Sequence, residues 1–101
     1  MLFRSMNILV SYDINTQSKS GVRRLNKIAK VCLDYGQRVQ NSVYECELDS
    51  GQLLILKKKL LELYNSEEDS IRIYKLGKNY EKSVLHYGIK MVFKPEQPII
   101  I

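Results

Sequence analysis

The chain has little of what most recognisable catalytic centres are built from. A single histidine, His86, excludes a paired-histidine ribonuclease mechanism within one chain and reads as a partly exposed strand residue. The two cysteines, Cys32 and Cys46, lack the close spacing of a zinc or redox motif. Each sits in an apolar-periodic segment, so both read as small buried hydrophobes kept reduced in a cytosol. There is no phosphate-cradling glycine loop, no His-Glu-x-x-His helix and no serine-centred elbow. No run reaches the roughly 18 apolar residues of a membrane span, and the N-terminus carries no signal-peptide core, so a cytoplasmic protein with no membrane partner is expected. Internal repeats, low-complexity segments and long disordered tracts are also missing.

What is present is one domain's worth of chain, 101 residues, with 16 Lys and Arg against 11 Asp and Glu. The resulting net charge of +5 suits a polyanionic partner, although charge alone says nothing of fold. The organising stretch is Asn7-Ile8-Leu9-Val10-Ser11-Tyr12-Asp13-Ile14. Its unbroken aliphatic run predicts a central strand buried on both faces. It ends on a carboxylate, Asp13, at the mouth of the strand, where ligands commonly sit and where an unpaired charge is costly. The bland alternative is that Asp13 starts an Asx-turn or caps the following helix.

Ser18 to Ser20 then offer an N-cap, and Gly21 to Tyr35 read as a helix. Leu25, Ile28, Ala29 and Cys32 mark its buried face, Arg23, Arg24, Lys27 and Lys30 its other sides, and Gly36 its stop. From Gln37 to Leu48, β-branched and aromatic residues alternate with polar ones, which predicts strand. Asn41-Ser42 reads as a hairpin turn, with a bulge in one long strand as the alternative. Asp49-Ser50-Gly51 caps a second helix, Gln52 to Tyr64. There Leu53, Leu56, Leu60 and Leu63 face inward, and Lys57, Lys58 and Lys59 form a solvated face. Ser70 to Leu76 alternate as a fourth strand, with Ile71 and Ile73 on one face and Arg72 and Tyr74 on the other. Ser83 to Tyr87 predict a short fifth strand ended by Gly88.

The order β-α-β-β-α-β is the split βαβ, or ferredoxin-like, arrangement of the α+β class: an antiparallel sheet with two helices on one face. The other face then needs cover, and a homodimer packed sheet to sheet supplies it. The domain is expected over residues 1–88, with Met1 to Ser5 as an extension. Residues 89–101 form an apolar tail that docks on the dimer or on a partner.

Taken together, a first strand ending in Tyr12-Asp13-Ile14, a basic helix ending in Tyr35-Gly36, the segment Arg38-Val39-Gln40-Asn41-Ser42-Val43-Tyr44-Glu45, and the Ile71-Arg72-Ile73-Tyr74 strand resemble the CRISPR-associated Cas-two family. The likeness runs from about Met6 to Gly88, and the order and spacing of its pieces are specific. The resemblance implies a homodimer of ferredoxin-like protomers whose C-terminal strand extends the partner's sheet. It implies metal-dependent endonuclease activity on RNA or double-stranded DNA in some members. It also implies work beside the adaptation integrase, Cas-one, in spacer acquisition. The N-terminal extension and the long apolar tail depart from the better-known members.

Phosphodiester hydrolysis needs an activated water and charge neutralisation at phosphorus, which Mg²⁺ held by carboxylates supplies. One chain offers Asp13 alone, and a symmetric dimer offers two copies across its axis. The resemblance makes Asp13 both the catalytic residue and the metal ligand. Ser11 faces the same way as Asp13, whereas Tyr12 points to the core. Arg23, Arg24 and Arg38 are candidates for gripping phosphates of duplex DNA or single-stranded RNA, or are simple solubilising charges. Glu45, Glu47 and Asp49, spaced by two, offer either cation binding or a solvated edge. Three functions follow: a Mg²⁺-dependent endonuclease, a non-enzymatic adaptor that bridges the integrase and holds duplex DNA, and a small-ligand regulatory module. The last lacks any Gly-rich pocket signal.

Overall fold

The computed structural model describes residues 5–77. In chain order they form β1 (Met6–Asp13), α1 (Lys19–Tyr35), β2 (Gly36–Gln40), β3 (Val43–Leu48), α2 (Ser50–Leu63) and β4 (Ser70–Leu76). The strands make one sheet in the order β2-β3-β1-β4, every neighbouring pair antiparallel, which is the expected ferredoxin-like arrangement. The fifth strand expected over Ser83 to Tyr87 and the tail from Ile89 lie outside the described residues. Among the described residues no helix is long and apolar enough to cross a membrane.

Alternation along β1 decides how the layers stack. Ile8, Val10 and Tyr12 are buried, Asn7, Leu9 and Ser11 are half-buried, and Asp13 is exposed. Among the described residues, therefore, only one face of β1 is covered, whereas the aliphatic run predicts burial on both. The covered face packs on Ile28, Ala29 and Cys32 of α1 and on Leu56 and Leu60 of α2, with Tyr44, Cys46 and Leu48 of β3 completing the core. Each such fully buried aliphatic side chain stabilises the fold by about 1.5–3 kcal/mol.

The helices begin where their caps dictate. Ser18 Oγ accepts from the backbone N–H of Gly21 at 3.1 Å, which starts α1 two residues before the position the periodicity indicates. Asp49 caps α2 in a capping box with Gln52, so this carboxylate serves the helix. The solvated face of α2 is as expected, with Lys57, Lys58 and Lys59 exposed. Lys59 lies 5.2 Å from the Tyr35 ring centroid.

Between β2 and β3 the hairpin turn holds and the single long strand does not, although a bulge occurs one step earlier. Asn41-Ser42 make the turn, and the register shift between Arg38 and Gln40 leaves Val39 as a bulge. Gly36 does not stop α1 through a left-handed conformation. Its backbone is extended (φ −162°) and it already belongs to β2. It is glycine because a Cβ there would overlap Cys46 Sγ and the Glu45 carbonyl of the neighbouring strand. Gly21 is the stricter case, since its Cβ would run into the Asn15 carbonyl oxygen, backbone that cannot step aside.

Both cysteines are buried free thiols. Burial, with the neighbouring Cys46 adding to it, pushes the Cys32 thiol up to about 12. Burial and then Glu45 push Cys46 up to about 11.

Gly21→Ala is expected to destabilise the fold by about 1–3 kcal/mol through this overpacking, read from urea unfolding midpoints. A midpoint equal to wild type would mean that the loop after β1 yields freely.

Candidate phosphodiester-cleaving site

Asp13 is the last residue of β1, and the β1–β4 ladder sets what surrounds it. The register pairs Asp13 with Ser70, Ser11 with Arg72 and Leu9 with Tyr74, all on the sheet face away from the helices. Ser11, Asp13, Ser70, Arg72 and Tyr74 line one open cavity of about 260 Å³ there. The carboxylate of Asp13 is exposed, and among the described residues no hydrogen bond or ion pair engages it.

The local bonds dispose of the bland alternative for Asp13. The Asx-turn after β1 is made by Asn15, whose Oδ1 accepts from the Gln17 N–H at 3.0 Å, and the helix cap is Ser18. Neither task falls to Asp13.

Asp69 does the structural work nearby. One of its oxygens accepts from the Asn15 N–H at 3.0 Å, the other from the Asn65 N–H at 2.9 Å. Arg24 Nε and Nη2 reach the same carboxylate at 2.8 and 3.3 Å. Burial alone would raise the Asp69 pKa. The Arg24 guanidinium and the two backbone donors outweigh it and hold the carboxyl below its ordinary value.

The arginines singled out from sequence occupy three different settings. Arg23 is exposed on α1. Arg24 is committed to Asp69 and Glu68, its side chain 15% exposed. Arg38 is 2% exposed, donates from Nε to Tyr44 Oη at 2.9 Å and from Nη2 to the same oxygen, and sits 5.2 Å from the Tyr44 ring centroid. It belongs to β2, two strands away from β1, so its charge points into the core rather than toward Asp13. The Tyr44 hydroxyl in turn meets Tyr12 Oη at 3.2 Å. Burial first, and then this bond, raise the Tyr12 pKa far above its usual value. Tyr12 is thus a core residue, as strand alternation predicts.

A family model described as CRISPR associated protein Cas2 matches residues 6–84 of this chain. The chain belongs to the Cas2 family. It is 52% identical over 95 residues to the CRISPR-associated endonuclease Cas2 of Halalkalibacterium halodurans, covering 94% of this chain and 99% of that protein. It is 46% identical over 97 residues to the CRISPR-associated endoribonuclease Cas2 of Nitratidesulfovibrio vulgaris, covering 96% and 95%. The crystal structure of Streptococcus pyogenes Cas2 at pH 6.5 superposes with a TM-score of 0.75 at 46% identity, over 82% of this chain and 100% of that one.

Membership in the Cas2 family agrees with the strand order and the two helices on one face. Among the described residues no group of three His, Cys, Asp or Glu side chains could hold a metal ion. The described residues therefore present one carboxylate and two hydroxyls there, a hard-oxygen donor set suited to Mg²⁺ but too sparse to close a coordination shell. In this Cas2-family chain the residue that sequence reasoning left out is Arg72. Its alternation with Ile71 and Ile73 signals the face, while its place beside Asp13 depends on which strands pair.

The Asp69 pKa is lowered on folding, so its stabilisation is complete above the ordinary carboxylate value. It is lost as pH falls through that value toward the folded one. Asp69→Asn is expected to be less stable than wild type at pH 7, with the gap closing below about pH 4. Parallel unfolding midpoints across pH 3–7 check this, and a gap that does not narrow would remove the charge from the explanation.

Proposed function

We propose that this Cas2-family chain hydrolyses phosphodiester bonds in RNA or double-stranded DNA as a homodimer in the cytoplasm, with Asp13 of each protomer as catalytic residue and metal ligand. The single observation that carries this reading is the exposed Asp13 carboxylate at the end of β1, unengaged among the described residues, on a sheet face that the described residues leave uncovered. Two such faces packed about a two-fold axis bring two carboxylates together, which supports Mg²⁺ as the ion and remedies the sparse donor set of one protomer. When bound, the ion neutralises charge at phosphorus and lowers the pKa of a water. The chain's own residues orient the phosphodiester beside Asp13, and the Asp69 clasp fixes the strand ends around it.

The same dimer serves spacer acquisition by bridging the adaptation integrase, Cas-one, and holding duplex DNA. A specific feature favours this second role even without cleavage. Lys19, Arg23, Lys27 and Lys30 are exposed at helical spacing along α1, forming a basic stripe. In that role Arg23 contacts phosphate, while Arg24 and Arg38 keep the helix and sheet that present it in shape. The domain of residues 1–88 forms the dimer, and the apolar tail of residues 89–101 is its docking segment.

Cleavage of duplex DNA and single-stranded RNA by wild type and Asp13→Asn, each with Mg²⁺ and with chelator, tests the enzyme once both are shown to be folded dimers. Metal-dependent cutting that falls by about 10²-fold or more in Asp13→Asn is the expected result. Equal cutting by both proteins would refute the site. Salt-sensitive duplex binding without cutting, weakened by Arg23→Ala with Lys27→Ala, would leave the adaptor alone.

A further inference from the structure

The second helix, α2, is apolar on the side that the core does not use. Leu56 and Leu60 are buried in the core, with Leu53 and Leu63 packed against it. On the outward side Leu54 is 68% exposed, Ile55 51% and Leu61 47%, three of the five large exposed hydrophobics among the described residues. A helix that is apolar all round is of the kind that proteins cover all round. Of the exposed residues of α1, by contrast, Val22 alone is apolar. The outward side of α2 also lies clear of the homodimer, which packs sheet on sheet while the helices occupy the opposite layer.

Leu54 and Leu61 are seven residues apart, two turns along one line, the spacing of a helix–helix seam. Lys57 and Lys58 fall between them on that line, three or four residues from each leucine. Both lysines are exposed, and among the described residues the ion pairs are those of Arg24. Glu62 is the one acid of the helix, and it makes no ion pair with Lys58 four residues before it. Lys59 is turned aside to the Tyr35 ring.

Leucines set beside uncompensated ammonium groups select among occupants. A second copy would bring lysine against lysine. Nucleic acid would engage the lysines and leave the leucines without apolar contact, and the polar basic stripe of α1 suits phosphates better. An anionic membrane needs the broad apolar face of a helix, which α2 turns into the core. A protein helix laid along α2 satisfies both groups at once, with apolar side chains over the leucines and carboxylates beside the lysines.

We propose that the outer face of α2 is a docking surface for an acidic amphipathic helix of another protein, with Leu54 and Leu61 as anchors and Lys57 and Lys58 as charge partners. The inference goes beyond the nuclease and duplex-holding roles and depends on neither.

The test is fluorescence-anisotropy binding of the full chain to a labelled helical peptide of about three heptads, with leucines at the seam positions and Glu flanking them. A sister peptide carries Lys in place of Glu. Wild type is expected to bind the Glu peptide about tenfold more tightly than the Lys peptide. Leu54→Ser with Leu61→Ser should weaken the Glu peptide about tenfold or more, with circular dichroism and assembly state unchanged. Lys57→Glu with Lys58→Glu should reverse the preference toward the Lys peptide, and this variant decides the matter should the serine variant not fold. Equal binding of the two peptides by wild type, or a folded serine variant that binds as wild type does, overturns the docking surface. Binding of neither peptide overturns it as well, and leaves the chain's own apolar segment 89–101 as the occupant to test. Binding to phosphatidylglycerol vesicles that needs both leucines, in place of peptide binding, overturns it in favour of a membrane. Self-association that the serine variant abolishes overturns it in favour of a second copy.

Discussion

The carboxylate of Asp69 is the point at which three separate stretches of chain are tied. It receives the backbone N–H of Asn15 after β1, the backbone N–H of Asn65 after α2, and the guanidinium of Arg24 on α1. Its side chain is fully covered. An ionised carboxylate in such a place costs several kcal/mol unless every lone pair is engaged, so the donors and the acceptor depend on each other. Asn15 follows Asp13 by two residues, and Asp69 directly precedes Ser70. The clasp therefore sets the spacing of the two strand ends that line the cleft, although neither Asp69 nor Arg24 faces it.

The positive charge of the chain divides by partner. Arg24 and Arg38 spend theirs on the fold, one on the clasp and one on Tyr44 beneath the sheet. The α1 stripe and Arg72 direct theirs outward, on two different surfaces. A net charge of +5 adds these together and hides the division, which explains why composition supports a polyanionic partner without showing where it would lie.

Local chemistry is legible in the amino-acid sequence by itself. The aliphatic run of Ile8 to Val10, the Ser18 and Asp49 caps, the leucine spacing of α2 and the position of Asp13 at a strand end all follow from residues close together along the chain. What eludes the sequence depends on contacts between distant segments. Gly36 reads as a helix stop until β3 is laid against it and its missing Cβ makes room for Cys46. Arg38 reads as a surface cation until Tyr44, six residues on and one strand over, takes its guanidinium inside. Arg72 lies 59 positions after Asp13, and only the antiparallel pairing of the first and last described strands makes them neighbours.

The burial of the two thiols has a use that reaches beyond packing. Thiol reagents attack the thiolate, and burial pushes the Cys32 thiol so far up that little of it is ionised near neutral pH. Cys32 lies in α1 and Cys46 in β3, on the two layers whose contact defines the core. Modification of either sulfur therefore requires those layers to part. The rates at which the two are labelled under native conditions time the separation of helix from sheet, without a mutation.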